Sequence, residues 1–432
     1  MNILNDCSND KAKNQRISAL LLAWYTREKR DLPWRRTGDP YAIWVSEVML
    51  QQTQVKTVIP YYERFLQRFP DVEQLGRASL DDVLTEWRGL GYYSRARRMW
   101  EGANYLLDLS GGKMPEDYDA LIQVPGIGKY TAGAIASIAF RQRVPAIDGN
   151  VLRVVSRILA WPEPVETARS YRHFSDHLEV WQPALHPGDF NQALMELGAL
   201  VCTPSKPDCG GCPVGLVCEG YLQDDVLFYP VKKPKAERQL VTRLTFVLRR
   251  GDWVYLRRRP SHGLLADLWE FPGVELRQDK VMKDSLPRFT VGEWFIHFQK
   301  AVPEREFDGR VKEQFEQGVT MHGPVWYTFS HRKWKIIWVI VDLLEPLEPP
   351  ARVEQTEQPE LEAIEGTLFK ETAEEYQADS KGILQLEDHG NWSSLEDLGR
   401  IALPVAFTAI VEDLKANSLH ITSKDFIDKL QR

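Results

Sequence analysis

The spacing of four cysteines constrains this 432-residue chain more than any other feature of its sequence. They occur as Cys202-x6-Cys209-x2-Cys212-x5-Cys218, and prolines and glycines bend the short segments between them. Thiolates placed so close together can converge on one centre, which indicates an iron-sulfur cluster or zinc. Zinc sites usually present two Cys-x2-Cys pairs, whereas this run has one such pair and two longer arms. The spacing therefore favours a [4Fe-4S] cluster held by all four cysteines.

A disulfide framework is the alternative use of neighbouring cysteines. The stretch from Asn2 to Arg16 is polar and of mixed charge, so we expect no export signal and a reducing compartment, which favours metal ligation. No apolar run approaches the roughly 20 residues that a membrane-spanning helix needs. We therefore expect a cytoplasmic, monomeric protein with no membrane partner.

The hydrophobic pattern changes partway along the chain. From residue 17 to about 199, apolar residues recur at three- and four-residue spacing, which predicts α-helices almost throughout. From residue 240 the pattern becomes the alternation typical of β-strands. A polar, proline-bearing segment between the two parts predicts a linker. We predict a multidomain chain with an all-α domain over 1–228 that includes the cysteine loop, a linker over 229–239, an α/β domain over 240–375 and an acidic extension over 376–432.

Charge is also unevenly distributed. The net charge is -7, but residues 1–340 carry 46 Lys and Arg against 41 Asp and Glu, while residues 341–432 carry 8 against 20. A mildly basic body can bind DNA through a local basic groove. Arg95, Arg97 and Arg98 are candidates for phosphate contacts or for an exposed charged helix face. The acidic extension either packs on the body or docks a protein partner.

A Pro-Gly-x-Gly turn lies between two predicted helices within residues 121–136. Gly126 and Gly128 permit a backbone tight enough to aim several N–H groups outward at the start of the second helix, which suits a phosphate. Alone, the pattern is equally typical of an ordinary corner between helices. About twenty residues later, Asp148 ends an apolar stretch at a helix N-cap position, where a lone Asp is usually only a cap.

Together with the cysteine cluster, these residues resemble the endonuclease III superfamily of helix-hairpin-helix DNA glycosylases. The resemblance covers residues 16–225 and implies an all-helical fold, with the hairpin and Asp148 on opposite sides of a cleft that receives a flipped base. Members that also cut the DNA backbone carry a lysine where this chain has Tyr130, because the amine forms a Schiff base with the sugar. Lys129 lies one residue earlier, and one helical step turns a side chain by about 100°. We therefore expect a glycosylase without efficient lyase activity.

A second segment, residues 39–55, places Glu47 among apolar residues of a predicted helix. A single Glu there ordinarily points to solvent, but the whole segment resembles the MutY family of adenine DNA glycosylases, which remove adenine mispaired with 8-oxoguanine. The resemblance implies that Glu47 is the general acid. Adenine leaves only when N7 is protonated, which requires a carboxylic acid with a raised pKa. The resemblance further implies that ionised Asp148 stabilises the oxocarbenium-like sugar.

Further residues match this family one by one. The resemblance implies that two residues, Gln52 and Tyr92, enter the base stack beside the lesion. It assigns the positioning of Asp148 to Tyr130 and Asn150. The residues that it assigns to the adenine pocket are Arg30, Trp34 and Glu196.

The second domain resembles a Nudix-type fold around residues 264–273. The paired-glutamate helix that would hold Mg²⁺ does not follow Gly273, which predicts recognition without catalysis. Phe329, Ser330 and His331 match the loop by which the MutY family reads 8-oxoguanine, although alone they read as a hairpin turn. Ser330 offers a donor and an acceptor to the Hoogsteen edge, where oxidation turns N7 into a donor. The expected partner is duplex DNA with adenine opposite 8-oxoguanine or guanine.

The sequence argues against three alternative functions. An endonuclease III-type pyrimidine glycosylase with lyase activity is disfavoured by Tyr130 and by the second domain. A non-catalytic mismatch-binding protein has no need of two carboxylates beside a polyanion. A nucleotide-pool hydrolase needs the metal-binding glutamates that the second domain lacks.

Overall fold

The computed structural model describes residues 3–234, 237–276, 289–302, 308–317, 320–329, 332–343, 390–399 and 401–418. The chain divides into two compact units, Met1–Glu237 and Arg238–Arg432, at a point inside the segment predicted as a linker. Within the described ranges, every helix is either too short or too polar to cross a bilayer.

The first unit is helical, as predicted, and its described residues form no β-strand. Amphipathic spacing explains this, since apolar residues three and four apart face one side of a helix and can share a core. Its helices are α1 Ile3–Glu28, α2 Pro40–Leu50, α3 Val55–Arg68, α4 Val72–Arg77, α5 Leu80–Glu86, α6 Ser94–Ser110, α7 Tyr118–Gln123, α8 Lys129–Ile138, α9 Gly149–Ile158, α10 Ala168–Trp181, α11 Pro187–Leu200 and α12 Glu219–Leu222.

One apolar core contains residues of both α9 and the cysteine loop. Buried residues of α1, α9, α10 and α11, among them Leu21, Val155, Phe174 and Leu194, pack together, and Cys218 is part of the same cluster. Because α9 begins immediately after Asp148, this core fixes the base of the candidate catalytic helix against the cysteine-bearing loop.

The predicted hairpin is present between α7 and α8. Gly126 has a φ of +80°, and a Cβ on it would lie 2.8 Å from the Arg98 carbonyl oxygen, so both conformation and space require glycine. Gly128 is different. It has an ordinary extended backbone at the N-cap of α8, and a Cβ there would meet no atom within 4 Å.

The second unit contains a mixed sheet. Its strands are β1 Gln239–Arg250, β2 Trp253–Arg258, β3 Trp269–Glu270, β4 Gly273–Leu276, β5 Met321–Thr328, β6 Arg332–Asp342 and β7 Asn391–Ser394. The order is β3-β2-β1-β6-β5, with β4 also paired to β1 and β7 to β2. β1 and β6 are parallel, with Leu244 opposite Ile337. The other pairs are antiparallel.

Both faces of the sheet are covered, which explains why β1 is buried at successive positions. Leu244 and Phe246 point to one face, where they pack against α13 Val291–Ala301 and α14 Asp308–Gln317. Val247 points to the other face, toward α15 Thr408–Ser418. This α/β arrangement agrees with the predicted fold class.

The predicted boundary at residue 376 needs correction. The described residues beyond this boundary, 390–399 and 401–418, belong to the second unit. Strand β7 pairs with β2, and Phe407, Ile410 and Leu414 pack on one face of the sheet. The acidic, proline-rich connector before them is typical of a domain end, and nothing local in the sequence signals that the chain returns to the sheet.

Candidate active site

Glu47 lies inside α2, whose residues 41–49 are all buried. Asp39 caps the helix by accepting a hydrogen bond from the Tyr41 N–H, and Pro40 occupies its first position. The Glu47 side chain does not point to solvent, since the residue is 6 % exposed. Burial is the main reason that its pKa rises to about 7; Asp148 raises it further, while Tyr130 and Arg35 oppose the rise. A carboxyl group that holds its proton near neutral pH is suited to act as a general acid.

Tyr130 is the partner of Glu47. Its hydroxyl donates a hydrogen bond to Glu47 Oε2 and lies 3.8 Å from Met195 Sδ. The residue was expected to position Asp148, and the hydrogen bond that the structure shows is to Glu47 instead. Lys129, one step earlier, instead has its Nζ 5.7 Å from the centre of the Tyr171 ring. The helical rotation between the two residues therefore separates the amine from Glu47, as predicted.

Asp148 is the N-cap of α9. Its Oδ1 accepts a hydrogen bond of 2.7 Å from the Val151 N–H, and its Oδ2 accepts one of 2.9 Å from Asn150 Nδ2. The pKa of Asp148 is raised, because burial outweighs these two hydrogen bonds and the charge of Arg153, which act to lower it. Asn150, which was expected to position Asp148, thus contacts it, and Arg153 Nη2 in turn donates to Asn150 Oδ1 at 2.9 Å. The ionised form of Asp148 has fixed donors on both oxygens.

Two arginines donate hydrogen bonds to both oxygens of the Glu196 carboxylate. Arg30 donates to it from its backbone N–H and its guanidinium, and Arg35 donates to both carboxylate oxygens at 2.9 Å. These bonds hold the pKa of Glu196 near 2 although burial opposes them. Five hydrogen bonds saturate the Glu196 carboxylate, so it holds both arginines in place in this structure.

Trp34 and Arg35 follow each other on the 3-10 helix Pro33–Arg35. The Trp34 ring is 7 % exposed and packs edge-on against Tyr62 at 5.5 Å. Arg35 was not predicted from the sequence, yet its charge acts on both Glu196 and Glu47. Its partner lies 161 residues away, so no local signal could have shown the pairing.

Gln52 and Tyr92 lie in two separate loops and share one property. Both have left-handed backbones, with φ of 59° and 51°, a conformation that residues with a Cβ rarely adopt. Tyr92 is 47 % exposed and Gln52 is also exposed. A strained, left-handed backbone is typical of residues in functional loops.

The four cysteines line one pocket, together with Arg157 and Val154 of α9. Arg157 is fully buried and its Nη1 lies 3.3 Å from Cys202 Sγ, while the Cys212 and Cys218 sulfurs accept backbone N–H bonds from Val214 and Tyr221. Burial, aided by the neighbouring cysteines, raises the pKa of Cys212 to about 12.

Such a set of thiols ionises only beside a positively charged centre. The four cysteines thus share one pocket, with donors aimed at three of the sulfurs. In the described ranges, however, no group of three or more His, Cys, Asp or Glu side chains is placed so that it could hold a metal ion.

The β5–β6 loop that contains Phe329, Ser330 and His331 is described only at its edge. Phe329 packs against Tyr327 and Trp334, with ring centres 4.8 and 4.9 Å apart, and its N–H donates to the Arg332 carbonyl oxygen across the β5–β6 hairpin. Ser330 and His331 lie outside the described residues.

Comparison with known proteins agrees with both units. The family described as HhH-GPD superfamily base excision DNA repair protein matches residues 45–183, and the NUDIX domain matches residues 244–413. The chain is 41% identical to an adenine DNA glycosylase of Mus musculus, covering 62% of this chain and 63% of that protein. It is 40% identical to the one of Homo sapiens, covering 65% and 62%.

The chain thus spans less than two thirds of the length of these mammalian relatives. It covers 74% of an adenine DNA glycosylase of Buchnera aphidicola subsp. Baizongia pistaciae, at 38% identity over 266 residues. With this coverage, and with a helical first unit followed by a Nudix-type second unit, the chain belongs to the adenine DNA glycosylase family.

Proposed function

We propose that this protein hydrolyses the N-glycosidic bond of adenine in duplex DNA where adenine is paired with 8-oxoguanine or guanine. The observation that carries the proposal is the burial of Glu47 and its hydrogen bond from Tyr130 beside Asp148, an environment that raises its pKa to about 7. A binding protein gains nothing from two buried carboxyl groups that repel DNA phosphates. A base-releasing enzyme needs both, one to donate a proton and one to stabilise a cation.

Glu47 donates its proton to N7 of the flipped adenine. Because burial raises the pKa of Glu47 to about 7, this proton is available near neutral pH. Protonation converts adenine into a neutral leaving group, and the Tyr130 hydroxyl keeps the Glu47 carboxyl in one orientation throughout. The charge of Arg35 limits the rise of the Glu47 pKa, which preserves the acidity that proton transfer needs.

Asp148 stabilises the positive charge that develops on the sugar as the bond breaks. Its two oxygens are held by Val151 and Asn150, so it needs no reorganisation when the cation forms. The carboxylate either stays as a counter-ion or bonds to the sugar before water arrives, as in retaining glycoside hydrolysis.

We assign the extrusion of adenine from the base stack to the exposed residues Gln52 and Tyr92. Side chains that enter the duplex offset the few kcal/mol that unstacking a base costs. On the other strand, we assign recognition of 8-oxoguanine to Phe329, Ser330 and His331 of the second unit.

A [4Fe-4S] cluster fits the four-cysteine pocket. Cys202, Cys209, Cys212 and Cys218 would hold it, and when bound it supplies a covalent cross-link of the loop. Arg157 fastens that loop to α9 through carbonyl oxygens of Thr203 and Pro204. Lys206, an exposed residue between Cys202 and Cys209, is then presented to a DNA phosphate.

The experiment is single-turnover release of free adenine from a duplex with adenine opposite 8-oxoguanine, beside one with adenine opposite guanine. The parent should release adenine from both, and Glu47→Gln from neither, while Ser330→Ala should mainly lose the preference for the oxidised partner. Glu63→Gln, an exposed change on α3, serves as the control. Binding of the duplex without base release by the parent would refute catalysis and favour a mismatch-binding protein.

A further inference from the structure

Arg95 connects the two loops that carry Gln52 and Tyr92. One loop, residues 51–54, joins α2 to α3, and the other, residues 87–93, joins α5 to α6. The two left-handed residues are thus far apart in the sequence, each at the exposed tip of its own loop. Arg95 comes from the first turn of α6 and points between them.

On one side, the guanidinium contacts the end of α2. Arg95 Nη1 lies 2.8 Å from the Val48 carbonyl oxygen, 2.9 Å from that of Met49 and 2.5 Å from that of Gln51. Nη2 adds a hydrogen bond of 3.2 Å to Thr53 Oγ1. Carbonyl groups in the last turn of a helix have no partner within the helix, and a cation is stabilised there.

On the other side, the same guanidinium holds the second loop. Nη2 donates to the Gly91 carbonyl oxygen at 3.0 Å, and Nε donates to that of Tyr92 at 3.3 Å. The guanidinium carbon lies 5.3 Å from the Trp87 ring centre and 5.5 Å from that of Tyr92. Each of the three nitrogens is therefore engaged, and contact with a phosphate would cost some of these bonds.

The neighbouring arginines behave differently. Arg97 pairs with Glu101 along the helix surface, and Arg98 is exposed. The three were grouped in the sequence as candidates for phosphate contacts, and the structure separates Arg95 from the group. The planar guanidinium group of Arg95 has N–H donors on both sides and can therefore bond to two loops at once. The single ammonium group of a lysine cannot do this.

We propose that Arg95 is a positioning residue that couples the two loops, so that Gln52 and Tyr92 enter the duplex together, and that it fixes the end of the helix that carries Glu47. This inference rests on the proposed adenine release for its functional consequence. Its structural part concerns the free protein alone.

Hydrogen exchange on the free, full-length protein tests the structural part. In Arg95→Met, amides of residues 51–54 and 89–93 should both exchange faster, by about tenfold or more, while amides of α9 stay unchanged. Arg95→Lys keeps the charge and most of the volume, and should also free at least one loop. The control is Arg77→Met, which removes an exposed arginine paired with Glu73. Protection of both loops at the parent level in either variant would overturn the proposal.

The functional part is read from base extrusion. We use Glu47→Gln as the background and a duplex with 2-aminopurine, a fluorescent adenine analogue, opposite 8-oxoguanine. Adding Arg95→Lys should reduce the fluorescence gain on binding, with duplex affinity little changed. In the active enzyme, Arg95→Lys should lower single-turnover release by up to about 100-fold without moving the pH at which the rate declines, since Arg95 makes no contact with Glu47.

The outcomes separate the two ideas. Parent protein that releases no adenine refutes the proposed function, yet hydrogen exchange still decides whether Arg95 couples the loops. Parent protein that is active, with an Arg95→Lys variant of equal rate and equal 2-aminopurine signal, refutes the coupling alone. If Arg95→Met does not fold, Arg95→Lys carries both readouts.

Discussion

Tyr130 donates a hydrogen bond to Glu47 Oε2 and so holds the buried acid in place. This bond lowers the pKa of Glu47, while burial and Asp148 raise it. A single substitution can therefore change both the chemistry available in the pocket and the pH at which Glu47 works.

Replacing Tyr130 with phenylalanine should raise the pKa of Glu47 further, because the variant loses the donor that favours the carboxylate. The decline in single-turnover adenine release at alkaline pH should shift to higher pH. The maximal rate should fall by about tenfold, since the carboxyl group loses its fixed orientation. Tyr105→Phe, a change on the exposed face of α6, should leave the profile unchanged; a shift of the Tyr130→Phe profile to lower pH would contradict the assignment.

Lyase chemistry should require an amine at residue 130. With abasic DNA and sodium borohydride, the parent and Lys129→Ala should both give little covalent adduct. Tyr130→Lys should give an efficient one, because its amine can attack the sugar aldehyde, lose water and leave an imine that borohydride reduces. An efficient adduct with the parent that disappears in Lys129→Ala would show that the helical rotation between the two residues does not separate their roles.

Substituting the acid should stabilise the protein at alkaline pH. The pKa of Glu47 rises from 4.5 to about 7 on folding, so burying its ionised form carries no cost below pH 4.5 and the full cost above about pH 7. Glu47→Gln removes this cost and should stabilise the fold by up to about 3 kcal/mol at pH 8, with a much smaller gain at pH 5. Chemical denaturation of parent, Glu47→Gln and Glu63→Gln at both pH values measures the difference. Equal stability of parent and Glu47→Gln at pH 8 would mean that Glu47 is not buried as described.

Cluster assembly should depend on the cysteines of the loop. Cys212→Ser should lose iron, sulfide and visible absorbance, and should exchange amide hydrogens faster in the loop around residues 202–218. Cys7→Ser, the fifth cysteine of the chain, is the matched control and should keep its full iron content. Zinc in place of iron in the parent, prepared without iron limitation, would identify the alternative metal.

Local patterns account for the parts of the site that the sequence predicted. The Asp148 cap, its Asn150 partner and the hairpin glycine at 126 all depend on residues within a few positions of one another. Residues Arg35 and Arg95 were missed or misassigned because their partners lie 161 and up to 47 positions away. The Tyr130 bond to Glu47 spans 83 positions, so the sequence could name both residues but could not pair them.

The same reasoning applies to the fold. Helical periodicity predicted the first unit, and alternation predicted β1, β2 and β6, because each pattern is local. The return of residues 391–394 to pair with β2 follows a long segment of acidic and proline residues, and only tertiary packing determines it.

The pH dependence of single-turnover adenine release, measured from pH 5 to 9 on adenine opposite 8-oxoguanine, tests the role of Glu47 most directly. The rate should stay high below neutrality and fall tenfold per pH unit above a midpoint near 7, the pKa of Glu47. Glu47→Gln should show no such transition and almost no activity. A parent rate that is constant up to pH 9, or a Glu47→Gln rate close to that of the parent, would contradict Glu47 as the proton donor.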